Sequence, residues 1–97
     1  GKIKFDIFLL GMGKDGHIAS LFPYSKNLKE KFIVKAVIGK DFKRITLGLK
    51  VINNSNKIYL LLNNKTKTAI YEKIAKEGKL IPVNNLKKNK IFCFKVK

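Results

Sequence analysis

Acid is what this chain has least of. Six aspartate and glutamate residues stand against 22 lysines and arginines in 97 residues, a formal net charge of +16 at pH 7. One cysteine, Cys93, excludes an internal disulfide. It lies in Ile91-Phe92-Cys93-Phe94 and reads as a small buried hydrophobe rather than a reactive thiol. No apolar run approaches the roughly 20 residues that cross a bilayer. No secretory leader is expected either, and a reducing, cytoplasmic setting fits. Histidine and arginine occur once each, at His17 and Arg44.

What is present is a globular composition, 45% hydrophobic. A chain of this length buries only roughly 60–65% of the surface its unfolded form exposes, so the core is expected to be modest. The basic excess is the usual footprint of nucleic-acid binding. Here, however, the lysines are spread along the whole chain, with Lys87-Lys88 the one adjacent lysine pair. No aromatic–basic interleaving of the RNA-recognition type accompanies them. The charge therefore reads as a solvated lysine surface, and no nucleic-acid or membrane partner is expected. An absent, acidic remainder is a further explanation: the sequence opens at Gly1, almost on a core strand, as a portion of a larger protein would.

Strand-like runs and helical stretches alternate. Phe5–Leu10 predicts a buried strand, and His17–Phe22 a short helix stopped by Pro23. Phe32–Ile38 and Arg44–Leu49 predict two strands joined by a turn at Gly39–Lys43. Val51–Asn56 reads as one helical turn or a loop. Lys57–Leu62 is the clearest strand of the second half. A helix from about Lys65 to Lys76 follows, with Asn63-Asn64 as N-cap residues and Gly78 as C-cap. Ile70 and Ile74 share its apolar face, flanked by Tyr71. Lys90–Val96 closes the chain as a strand. The pattern implies an α/β fold, Rossmann-like and layered, with a mostly parallel sheet flanked by helices.

The densest chemistry lies in Gly11-Met12-Gly13-Lys14-Asp15-Gly16-His17. Gly11, Gly13 and Gly16 match the dinucleotide fingerprint and follow a strand. That fingerprint needs a full crossover helix, which Pro23 denies, and Asp15 would set a carboxylate against the pyrophosphate. A catalytic turn suits the residues better. His17 exchanges protons near neutral pH, Asp15 could fix its tautomer, and N–H groups opening the His17–Phe22 helix could stabilise an oxyanion. A purely structural reading stands beside it, with His17 capping the helix and Asp15 accepting backbone N–H bonds.

The run Phe5-Asp6-Ile7-Phe8-Leu9-Leu10-Gly11-Met12-Gly13-Lys14-Asp15-Gly16-His17-Ile18-Ala19-Ser20-Leu21-Phe22-Pro23 closely resembles the signature of the 6-phosphogluconolactonases. Arg44-Ile45-Thr46-Leu47, Leu61-Leu62-Asn63-Asn64-Lys65-Thr66-Lys67 and Leu80-Ile81-Pro82 continue the resemblance. The related glucosamine-6-phosphate deaminases share the Gly-x-Asp-Gly-His core. They continue with an Ala-Phe-Asn-Glu-Pro-like run where this chain has Ala19-Ser20-Leu21-Phe22-Pro23.

The resemblance implies hydrolysis of 6-phospho-D-glucono-1,5-lactone to 6-phosphogluconate, in the oxidative pentose phosphate pathway, without metal or organic cofactor. His17 would be the general base on water, oriented by Asp15, with Gly11, Gly13 and Gly16 shaping the substrate loop. Arg44 would hold the substrate phosphate, and the choice of the one guanidinium for that place suits bidentate recognition. Lys67 would help, at a helix N-terminus that favours anions. The chain departs from the family at Asn63-Asn64, where a small residue and glycine are common; asparagine tolerates the left-handed backbone such a loop would use. Residues 1–97 would form the C-terminal portion of one domain, whose N-terminal half is needed to complete the site. Three rivals remain: a deaminase-like enzyme, a non-catalytic sugar-phosphate-binding module and, less favoured, a basic nucleic-acid-binding module.

Overall fold

A computed structural model describes residues 3–95. In chain order it contains β1 (Ile7–Gly11), a 3-10 turn (Lys26–Leu28), β2 (Val34–Ile38), β3 (Lys43–Leu47) and α1 (Leu49–Asn53). These are followed by β4 (Lys57–Leu62), α2 (Lys65–Ile74), a second 3-10 turn (Pro82–Asn85) and β5 (Ile91–Lys95). Val96, expected to end the last strand, lies outside the described residues.

The strands β1, β4 and β5 form one sheet in the order β1-β4-β5, parallel throughout. The Leu60 position of β4 is paired with Leu10 of β1 and Cys93 of β5. Because side chains alternate along a strand, this register gathers Leu10, Ile58, Leu60 and Leu62 on one face. All four are buried, together with Ile52 of α1, Ile74 of α2, and Ile81, Val83 and Leu86 of the connection to β5. Ile70 and Tyr71 pack against that cluster as expected, and so does half-buried Cys93. Burial first, and then its hydrogen bond with the Cys93 thiol, push the Tyr71 hydroxyl up to about 12. The α/β layered architecture is therefore as the sequence implies. Its helices cover one face of the parallel sheet.

The strands β2 and β3 pair antiparallel in a separate hairpin, Val37 opposite Arg44 and Lys35 opposite Thr46. Gly39 N–H to the Phe42 carbonyl (2.9 Å) closes its turn.

Three local expectations fail. No helix spans His17–Phe22. Instead Leu21 N–H bonds the Ile18 carbonyl (2.9 Å) across a turn in which Ala19 adopts φ +51°. A positive φ at the second residue of such a turn suits a primed β-turn and is incompatible with a right-handed helix. Ile18 and Leu21 are both fully buried, so core packing rather than helical propensity sets this segment. The strand expected to reach Leu49 ends at Leu47, because Gly48 serves as the N-cap of α1. Finally, α2 ends at Ile74 with Ala75 as its C-cap, not Gly78. The Asn84 amide closes the carbonyls there, donating to Ile74 (2.9 Å), Glu77 (2.9 Å) and Gly78 (3.1 Å).

Candidate active site

The turn after β1 is built by its own backbone. Gly16 N–H donates to the Gly13 carbonyl (3.0 Å), and Gly13 N–H donates to the His17 carbonyl (2.9 Å). Gly16 has φ +87°, a conformation open to glycine. A Cβ there would also sit 2.5 Å from Ile81 Cγ2 and 2.8 Å from Ile74 Cδ1. The Gly16 carbonyl accepts from Val83 N–H (3.1 Å), which ties the turn to the core. Gly13 is needed for another reason: a Cβ there would fall on the His17 imidazole. The ring therefore packs directly on backbone. The space beside Gly11 is open.

Asp15 Oδ1 accepts the His17 backbone N–H (3.0 Å) and lies 2.6 Å from His17 Nδ1. The structural and catalytic readings of this pair thus coexist, since one carboxylate does both. Partial burial lifts the Asp15 carboxyl, but the hydrogen bonds from His17 and the imidazole's charge outweigh it, leaving Asp15 below its ordinary value. An ionised carboxylate can only accept, so Nδ1 carries the proton of the short bond. Nε2 of the neutral ring is then the basic nitrogen. The oxyanion site expected from a helix start has no basis here, because the helix is absent and the Gly16 and His17 N–H groups are already engaged.

Arg44 reaches this turn through two aromatic rings that sequence reasoning did not assign to the site. The His17 ring lies 4.9 Å from the Phe22 ring, and Phe22 lies 5.4 Å from Phe42. The Arg44 guanidinium carbon sits 4.7 Å from the Phe42 centroid and 5.8 Å from that of Phe22. A stacked guanidinium keeps its N–H edges available for an anion. No carboxylate pairs with Arg44 among the described residues. The hairpin is also pinned from below: Ser20 N–H donates to Thr46 Oγ1 (3.1 Å), both residues being buried. The run Arg44-Ile45-Thr46 therefore carries the exposed cation and the buried anchor two residues apart on the same side of one strand, with exposed Ile45 on the other.

Lys67 lies in the first turn of α2, where Asn64 caps the helix by accepting Lys67 N–H (2.8 Å). Asn64 is extended (φ −157°), and Asn63 has no positive φ, so the left-handed geometry expected of these asparagines is not used. The register Gly11 opposite Leu61 sets the carboxyl ends of β1 and β4 side by side. The His17 turn and the start of α2 thus leave the same edge of a parallel sheet, where ligands bind in open α/β folds. Lys67 shares that edge with the turn by topology alone. A groove of about 640 Å³ beside Phe32, Leu49 and Val51 contains none of these residues. Among the described residues no three His, Cys, Asp or Glu side chains gather as a metal would require, and no helix is long and apolar enough to cross a membrane.

The family model of glucosamine-6-phosphate isomerases/6-phosphogluconolactonase matches residues 1–93. The GDH/6PGL endoplasmic bifunctional protein of Oryctolagus cuniculus is 33% identical over 86% of this chain and 11% of its own length. The 6-phosphogluconolactonase of Rattus norvegicus is 35% identical over 75% of this chain and 30% of its own. Among solved structures, a 6-phosphogluconolactonase from Shewanella baltica superposes with a TM-score of 0.78 at 31% identity, over 93% of this chain and 43% of that one. The chain thus spans less than half of each of these relatives.

Proposed function

The chain belongs to the family of glucosamine-6-phosphate isomerases and 6-phosphogluconolactonases, and from that membership we propose that it is the C-terminal catalytic portion of a single lactonase domain. That domain would hydrolyse 6-phospho-D-glucono-1,5-lactone to 6-phosphogluconate. The observation that carries the reading is the 2.6 Å contact between Asp15 Oδ1 and His17 Nδ1, on a turn that Gly13 and Gly16 hold in one shape. The rat relative and the Shewanella baltica structure bear the 6-phosphogluconolactonase name, which favours this reading over deamination.

In the proposed reaction Nε2 of His17 takes a proton from water as the water oxygen attacks the lactone carbonyl. Asp15 stabilises the imidazolium that forms. The tetrahedral intermediate collapses with cleavage of the bond to the ring oxygen. That oxygen takes the proton from Nε2, and the base is restored. Arg44, stacked on Phe42 and Phe22, and Lys67, at the start of α2, bind the phosphate, while Gly11 leaves room for the sugar and Gly13 seats the His17 ring. In this reading the reaction runs in the cytoplasm and uses no metal or organic cofactor.

The test is His17→Ala in the complete domain. General acid–base catalysis contributes about 10²–10⁴-fold, so lactone turnover should fall by that factor while substrate binding is mostly retained. Undiminished turnover overturns the assignment. Turnover of glucosamine 6-phosphate in place of the lactone would assign the deaminase chemistry instead.

A further inference from the structure

Arg44 is exposed, and among the described residues no ion pair fixes its guanidinium. Aromatic rings place it instead, and the two it meets are not equivalent. Phe42 is the nearer, at 4.7 Å against 5.8 Å for Phe22. Phe22 also faces the His17 ring, 4.9 Å away, whereas Phe42 stands clear of the general base. Phe42 precedes Arg44 by two residues, the spacing that sets side chains on one side of an extended chain. Its half-buried ring lies against the backbone of Gly39: a Cβ there would fall 2.3 Å from Phe42 Cε2 and 2.4 Å from Cζ. The bond from Gly39 N–H to the Phe42 carbonyl (2.9 Å) closes the same turn. Gly39 thus seats Phe42, Phe42 carries Arg44, and Phe22, 5.4 Å from Phe42, joins them to the body of the molecule.

We infer that Phe42 is a positioning residue of this site: seated on Gly39, its ring holds the Arg44 guanidinium ready for a phosphate that Phe42 itself does not touch. The inference rests on the proposal that Arg44 binds the substrate phosphate. An arginine free at a strand surface samples many rotamers, and ordering it on a ligand costs conformational entropy. A ring that holds the guanidinium beforehand removes part of that cost and leaves the N–H edges free. The same cation is thereby kept on the side of the hairpin that faces the His17 turn, since Phe42 and Phe22 are in contact. Loss of the Phe42 ring should therefore weaken phosphate binding and leave the acid–base step as it is.

The test is a double-mutant cycle in the complete domain, read as KM and kcat for the lactone and as calorimetric affinity for 6-phosphogluconate. Phe42→Leu should raise KM and weaken 6-phosphogluconate about two- to fivefold, the worth of an exposed cation–π contact, with the effect confined to binding. Phe42→Tyr keeps the ring and should restore the parent values. Gly39→Ala drives the ring from its seat and should copy Phe42→Leu. In an Arg44→Gln background Phe42→Leu should weaken binding no further, because the two residues act as one unit. A merely structural role would lower kcat as well, or penalise both backgrounds alike. Three results each overturn the inference: Phe42→Leu without effect on affinity, the same loss when Arg44→Gln is already present, or Phe42→Tyr no better than Phe42→Leu. A parent domain that binds 6-phosphogluconate but leaves the lactone intact overturns the lactonase reading alone, and the cycle is then read from the affinities.

Discussion

The turn that carries His17 and the hairpin that carries Arg44 meet at Phe22, yet they are held in place by opposite means. The turn is over-determined. Two backbone bonds close it, Val83 ties it down, and Met12, Ile18 and Leu21 are buried around it. The hairpin is under-determined. Val34, Ile38 and Ile45 are exposed, and the hairpin is joined to the body by the Ser20–Thr46 bond, the Phe22–Phe42 contact and the bonds of Lys35 to Asn27 and Glu30. The difference matches the roles proposed for the two side chains. A general base has to meet a reacting water within hydrogen-bond geometry, whereas a phosphate-binding cation acts over a wider range of positions.

The largest break in this comparison should come from Gly16→Ala. A left-handed non-glycine residue costs about 1–2 kcal/mol, and forcing a methyl between Ile81 and Ile74 costs about 1–3 kcal/mol more. The sum is a large fraction of a small domain's stability, so the thermal transition should drop by about 10 °C or more, or vanish. Ile45→Ala in the exposed hairpin should stay within about 0.5 kcal/mol of the parent. Equal effects of the two changes would abolish the distinction between the regions.

That contrast also explains what the sequence disclosed. The glycine turn was legible because Gly13, Gly16 and Pro23 punctuate the chain, and because Asp15 and His17 stand two residues apart. The strands β4 and β1 were legible as apolar runs, with the end of β1 misplaced by one residue and its start by two. The segment Ile18–Leu21 was not legible: its apolar residues suit a helix equally well, and the positive φ of Ala19 is imposed by burying Ile18 and Leu21 at once. Nor was the Phe22–Phe42 bridge, because Phe42 lies in a turn and meets Phe22 only through tertiary folding. Arg44 stood out through the family resemblance, with which its being the one arginine agrees, but its stacking partners carry no local signal.

Next in size is Arg44→Lys. Lysine keeps the charge and loses both the planar fork and the stack on Phe42. A hydrogen bond to a charged group is worth about 1.5–3 kcal/mol, so KM for the lactone in the complete domain should rise about tenfold or more with kcat nearly unchanged. Because the hairpin is proposed to bind and the turn to react, a fall in kcat at constant KM would break the comparison at its functional end.

The finest test uses acid. Two carboxylates are held below their ordinary values, one in each region. Glu30, bonded to Lys35 of β2 (2.8 Å), is lowered chiefly by that hydrogen bond. Asp15 is lowered by His17 against the opposing effect of burial. For a carboxyl depressed on folding, the stabilisation is fully present above its unfolded value and is lost as pH falls through the folded one. The loss therefore begins below 4.5 for Glu30 and below 3.8 for Asp15. The melting-temperature gap between the parent and Glu30→Gln should shrink first on acidification, and the gap to Asp15→Asn at lower pH. Both gaps should be small, because both carboxylates are solvent-exposed and screened. A gap for Asp15→Asn that persists undiminished to pH 2 would mean that the turn needs the shape of Asp15 rather than its charge. The tautomer argument for His17 Nε2, which requires an ionised acceptor at Nδ1, would then lose its support.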